Sequence, residues 1–111
     1  MKVNESKLGL ISILSLSGQL TKGNLDELEK SFKNHLAMGN MRMLIDLKDV
    51  SLIDSAGLEL LWDSLMKFRK VGGSLKLANP SSLISDILLA TKMNNIFEIF
   101  SDQEKAYRSF L

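Results

Sequence analysis

Between residues 41 and 78 the chain passes from an apolar strand pattern through an amphipathic helix pattern into a second apolar strand. This succession restricts the fold more than any other feature. Met43, Ile45 and Leu47 share one face and Leu44 takes the other, so the first strand is covered on both sides. Leu58, Leu61, Leu65 and Phe68 then recur at helical spacing, with Glu59, Asp63, Lys67 and Lys70 directed elsewhere. Gly72-Gly73 ends that helix and SLKLA resumes as a strand. Strands joined through a helix pair in parallel by a right-handed crossover, and the expected class is α/β, with helices layered on a sheet.

The flanking segments extend this frame. Residues 2 to 6 are polar and fit at best an edge strand. From Leu8 to Leu16, Leu8, Leu10, Leu14 and Leu16 face one way and Ile11 and Ile13 the other, which predicts an interior strand stopped by Gly18. Asn24 with Glu27 reads as a capping box ahead of Leu25, Leu28, Phe32 and Leu36, and Gly39-Asn40 ends that helix. Lys48-Asp49 reads as a bend before Val50, Leu52 and Ile53. Asn79-Pro80 reads as N-cap and first-turn proline of a helix bearing Ile84, Ile87 and Leu88. Lys92 to Asn95 forms a polar connection into IFEIF, a last short strand. Ser101 with Glu104 makes a further capping box, before a terminal helix with Ala106, Tyr107, Phe110 and Leu111. No linker, repeat or low-complexity tract interrupts the 111 residues, so one core and one domain over 1–111 are expected.

Composition removes several function classes. With 14 basic and 13 acidic side chains the formal charge is +1, which gives no bulk attraction to nucleic acid or an anionic membrane. The absence of cysteine excludes disulfides, thiolate zinc sites and cysteine nucleophiles. The apolar run from Leu8 to Leu16 is broken by serines and too short to span a bilayer, so neither membrane insertion nor a signal peptide is expected and the location is cytoplasmic. His35, the one histidine, falls near a helix C-terminus and reads as surface or packing. The methionines fill core gaps, and Trp62, beside the apolar stripe, is expected to pack in the core more than to anchor a partner.

The chemistry concentrates in LIDSAGLELLW, residues 52 to 62. In α/β sheets the loops at the carboxyl ends of the strands carry function. Here these are 51 to 57 and 78 to 81, with 18 to 24 nearby. Asp54 and Ser55 sit where a helix needs an N-cap, and Gly57 removes a side chain from its first turn. Two readings stand. Either residue caps the helix, or Ser55 offers a hydroxyl at which the helix N-terminus tolerates a phosphate of roughly −1.5 to −2 charge. Asp54 and Glu59 are acidic and the turn holds no lysine or arginine, so a phosphate there would weaken a partner's hold. DSAG is not the G-x-S-x-G elbow, His35 lies on a distant helix pattern, and no Walker-type loop occurs. No catalytic residue, cofactor or metal site is expected; an enzyme or nucleotide binder using the helix start as an anion site has little support.

LSGQL at 16 to 20, LIDLKDVSLIDSAGLELL at 44 to 61 and GGSLKLANPSS at 72 to 82, in this order, resemble the STAS domain of the anti-sigma factor antagonist family over essentially the whole chain. The resemblance implies a mixed central sheet of about five strands with about four helices, and aligns Ser55 with the family's phosphoacceptor serine. It also implies partner switching. The unphosphorylated protein binds a serine-kinase anti-sigma factor and frees the sigma factor; the kinase then phosphorylates it with Mg²⁺-ATP, and a metal-dependent serine phosphatase resets it. The partner-binding surface implied comprises Thr21, Asp54, Ser55, Ala56, Gly57, Leu58 and Glu59, with no catalyst in this chain. A non-switching STAS scaffold in a signalling or lipid-transport assembly is the alternative. Two segments depart from the family pattern: Gly18-Gln19-Leu20-Thr21 lacks the frequent acidic residues, and Lys92-Met93-Asn94-Asn95 lacks a glycine often found before the last strand.

Overall fold

The computed structural model describes residues 1–111. Strands β1 (Lys2–Leu8), β2 (Ile11–Leu20), β3 (Arg42–Ile53), β4 (Ser74–Ala78) and β5 (Ile99–Phe100) form one sheet in that spatial order. β1 runs antiparallel to β2, and the other neighbouring pairs are parallel. Helices α1 (Asp26–Met38), α2 (Ser55–Lys70), α3 (Ser82–Ala90) and α4 (Gln103–Arg108) join them, with a single 3-10 turn at Met93–Asn95. The mixed sheet of five strands and four helices agrees with the α/β expectation. No helix is long and apolar enough to cross a membrane.

Two-sided alternation places the helices in two layers. Leu14, Leu16, Met43, Ile45, Leu47, Leu75 and Leu77 face α1, α2 and α3 across the larger core, where Phe32 and Phe68 meet edge to face at 6.3 Å. Ile11, Ile13, Leu44 and Ala78 face the other way and are covered by Ala106, Tyr107 and Phe110 of α4 and its C-terminal end. Because α4 is short, polar side chains fasten it. The buried Asp46 carboxylate accepts from Asn79 Nδ2 at 3.2 Å and Gln103 Nε2 at 3.0 Å. Lys76 donates to Ser109 Oγ at 2.9 Å and lies 4.4 Å from the Phe110 ring centre.

The strand boundaries depart from the sequence expectation. Gly9, at φ +62, turns the chain between β1 and β2, so Leu8 and Leu10 belong to a hairpin end and not to the interior strand; Leu10 is 74% exposed. Gly18 does not stop β2, which continues to Leu20 with Gly18 at φ +105. Lys48-Asp49 lies within β3, where pairing with β2 steps from Ser15–Asp46 to Ser17–Asp49 and from Gly18–Val50 to Gln19–Leu52. Each step inserts an extra residue in β3. Such bulges bend a strand, and twelve residues that would run about 36 Å straight fit a body 30 Å long. Only Ile99 and Phe100 of IFEIF form a strand.

Three expected caps are also displaced. Asn24 is held by Thr21, donating from its side chain to Thr21 Oγ1 at 3.0 Å, and Glu27 accepts from the Val3 N–H; α1 starts after Leu25 without a side-chain cap. Asn79 is left-handed at φ 57, bonded to Asp46, and Ser81 caps α3 instead. Asp102, not Ser101, caps α4 by accepting from Lys105 N at 2.8 Å. In the segment that lacks the family's glycine, Lys92 takes φ +62, a conformation costly for any residue with a Cβ. Replacing the exposed Lys92 with glycine is expected to raise stability by about 0.5–1 kcal/mol in urea unfolding, since relief of that strain exceeds glycine's added chain entropy.

Candidate functional site

Parallel pairing brings the carboxyl ends of β2, β3 and β4 to one pole, and with them the loops after Leu20, Ile53 and Ala78. Asp54 joins two of these loops. Its backbone is extended, and its Oδ1 accepts from Gly57 N at 2.9 Å, which caps α2. The other oxygen, Oδ2, accepts from the Lys22 N–H at 2.9 Å, fixing the β2–α1 loop against the helix start. The Asp54 N–H in turn donates to Leu20 O at 3.3 Å. The carboxylate is thus held from both sides by main-chain donors.

Gly57 makes this approach sterically feasible. A Cβ built there would lie 2.1 Å from Leu20 O, so the first turn of α2 rests directly on the last carbonyl of β2. Gly57 and Leu58 are buried and shape the site from beneath; Glu59 is exposed, while Thr21 and Ala56 are partly exposed. Thr21 accepts from Asn24 through both its carbonyl and its hydroxyl, which closes the β2–α1 turn.

The structure shows which of the two residues caps the helix. Asp54 caps the helix, and Ser55, its first residue, is exposed with its hydroxyl outside the capping bonds. The N–H groups of Ser55 and Ala56 precede the first intrahelical bond, Leu58 N to Asp54 O, and form the positive end of the α2 dipole. An anion joined to Ser55 Oγ would lie beside them, next to the negative Asp54. His35 stands at the far end of α1, where its Nε2 is 2.6 Å from Glu5 Oε1, and so serves to tie α1 to β1. No three His, Cys, Asp or Glu side chains gather as a metal site.

The sequence placed the 18–24 loop near this surface without singling out Lys22, and weighed Trp62 toward the core. Lys22 arrives beside Asp54 from 32 residues away, by a backbone bond that leaves no side-chain signature. Trp62, expected to favour the core, is 41% exposed, because Leu58, Leu61, Leu65 and Phe68 already fill the buried side of α2.

The Lys22 N–H, followed by that of Gly57, holds the Asp54 carboxyl below the usual carboxylate range. Its folded value lies under its unfolded one, so the stabilisation is complete above about pH 4 and is lost as pH falls through and below that value. Asp54→Asn is expected to lower the melting temperature at neutral pH and to flatten its decline between about pH 5 and about pH 3, read by thermal denaturation. Gly57→Ala must separate β2 from α2 and is expected to cost at least about 2–3 kcal/mol in denaturant unfolding.

Comparison with known proteins places this geometry in a family. The STAS domain model matches residues 2–106. A candidate anti-sigma factor antagonist of Bordetella bronchiseptica, BtrV, is 26% identical over 99% of this chain and 95% of its own length. Among solved structures, a candidate anti-sigma factor antagonist of Thermotoga maritima superposes with a TM-score of 0.91 at 23% identity, covering 96% of this chain and 92% of that one. The Bacillus cell fate determinant SpoIIAA in its phosphorylated form gives a TM-score of 0.77 at 15% identity, covering 99% of this chain and all of that one. The structural likenesses concern the fold, while the family model spans nearly every residue described above: the chain belongs to the STAS domain family.

Proposed function

We propose that this chain is an anti-sigma factor antagonist whose state is set by phosphorylation of Ser55. Unphosphorylated, it binds a serine-kinase anti-sigma factor in the cytoplasm and releases the sigma factor; a metal-dependent serine phosphatase restores it after phosphorylation. The observation that carries this reading is the division of labour at the α2 start, where Asp54 supplies the cap and leaves an exposed Ser55 hydroxyl. Membership of the STAS family and the named relatives support it. In this reading the 111 residues act as one domain, and the chain supplies a substrate hydroxyl while ATP, Mg²⁺ and catalytic groups belong to the kinase.

The physical consequence of the modification follows from its surroundings. A phosphate adds roughly −1.5 to −2 charge at a helix N-terminus, where the dipole favours it by about 0.3–1 kcal/mol, while the adjacent Asp54 carboxylate opposes it. The two terms oppose each other at a solvent-facing helix start, so the fold is retained. The partner meets a different surface. A contact region that accommodates the neutral Ser55, with Thr21, Ala56 and Glu59 around it, must now desolvate an anion beside existing carboxylates, and the complex weakens.

Incubation with Mg²⁺-ATP and the serine-kinase anti-sigma factors of the same genome tests the proposal by intact mass and peptide mapping. One phosphate on Ser55, none in Ser55→Ala, and at least about 30-fold weaker kinase binding by Ser55→Asp are expected; in free energy this is about 2 kcal/mol. Phosphate on another residue, or equal binding by all three proteins, would remove the reading and leave a constitutive docking surface.

A further inference from the structure

Helix α2 carries more than its first residue into solvent. Its buried positions are Gly57, Leu58, Leu61, Ser64, Leu65 and Phe68. On the opposite side Ser55, Glu59, Trp62 and Met66 follow at intervals of four, three and four, which an α-helix gathers into a sector of about 60° over about 16 Å. All four are exposed, Trp62 at 41% and Met66 at 36%. An exposed indole and a thioether one turn apart thus form an apolar ridge in line with the candidate phosphoacceptor. Other exposed apolar side chains, such as Leu10, Val71 and Leu89, stand on other elements or at helix ends. The charges along this ridge are ordered: Glu59, one turn before Trp62, and Asp63, the residue after it, lie beside the indole, and Lys67, Arg69 and Lys70 follow in the last turns.

We propose that Trp62, seconded by Met66, is the specificity anchor of the interface that Ser55 controls, seated in an apolar recess of the serine-kinase anti-sigma factor rimmed by Lys or Arg opposite Glu59 and Asp63. This rests on the reading of Ser55 given above, whose surface continues unbroken along the helix into the ridge. A tryptophan at the centre of a desolvated contact is among the side chains that contribute most, and it loses little rotamer freedom on binding. The Glu59 and Asp63 carboxylates steer a basic rim toward it and repel an acidic one. Ser55 and Trp62 are about 10 Å apart along the axis, close to the screening length in physiological salt. The two positions therefore act on separate terms. Trp62 determines which kinase fits, and Ser55 determines when.

The chain's one tryptophan allows a test without mutation. Labelled with 5-fluorotryptophan, the intact protein gives one fluorine resonance, which is expected to shift or broaden when unlabelled kinase is added without ATP. Titration calorimetry then compares the wild type with Trp62→Ala, Glu59→Lys and Ser55→Asp, and with the Trp62→Ala/Ser55→Asp pair. Trp62→Ala is expected to weaken binding at least about 30-fold and Glu59→Lys about 3–10-fold. The Trp62 and Ser55 factors should multiply, as independent sites do. If Trp62→Ala loses its fold, the fluorine resonance and Glu59→Lys decide. A resonance unmoved at saturating kinase, or Trp62→Ala binding within threefold of wild type while Ser55→Asp is weakened, overturns the anchor and leaves the switch standing. Wild-type binding by Ser55→Asp removes the switch reading, and the anchor with it.

Discussion

Everything at the working pole depends on one carboxylate held by two main-chain donors. Asp54 receives the Lys22 N–H from one loop and the Gly57 N–H from the helix it caps, while its own N–H reaches Leu20 O. These bonds tie the end of β2, the end of β3 and the start of α2 into one unit, and Gly57 permits the contact by presenting no side chain to Leu20. Because Asp54 fulfils the capping requirement, the next residue is free of it. The exposure of Ser55 is thus a consequence of how the turn is satisfied, rather than of a loose or flexible loop.

In the proposed switch, the same arrangement would let a charge at Ser55 act outward without damage inward. The helix start already lives beside an anion, and its remaining N–H groups point where a second anion would lie. Farther away, Asp46 holds Asn79 and Gln103 on the opposite face, so the loop after β4 is braced by bonds that do not involve Asp54. The pole is therefore braced from two independent sources.

Much of this was legible in the chain, and the failures have a common cause. Helical stripes such as Leu58, Leu61, Leu65 and Phe68, and the two-sided strand around Leu44, report burial directly and were read correctly. Caps were not, because a side chain suited to a cap is equally suited to other partners. Thr21 takes Asn24, Asp46 takes Asn79, and Val3 takes Glu27. The bulges in β3 space its buried residues three apart at Leu47, Val50 and Ile53, a pattern that imitates a break in the strand. At the site, the Asp-Ser-Ala-Gly turn was visible, but the choice between Asp54 and Ser55 as cap, and the arrival of Lys22, depend on contacts across 32 residues that no local pattern records.

The outer strand of the sheet has a further bearing on how this molecule can associate. An uncovered strand invites another chain to extend the sheet. Here α1 reaches over the first half of β1, with Glu27 taking the Val3 N–H and His35 meeting Glu5, and the opposite margin, β5, offers just two residues. What remains from Ser6 to Leu8 is too short to template a stable addition. Both margins are effectively hemmed, so extension of the sheet by another chain is disfavoured and association falls to the helices and loops.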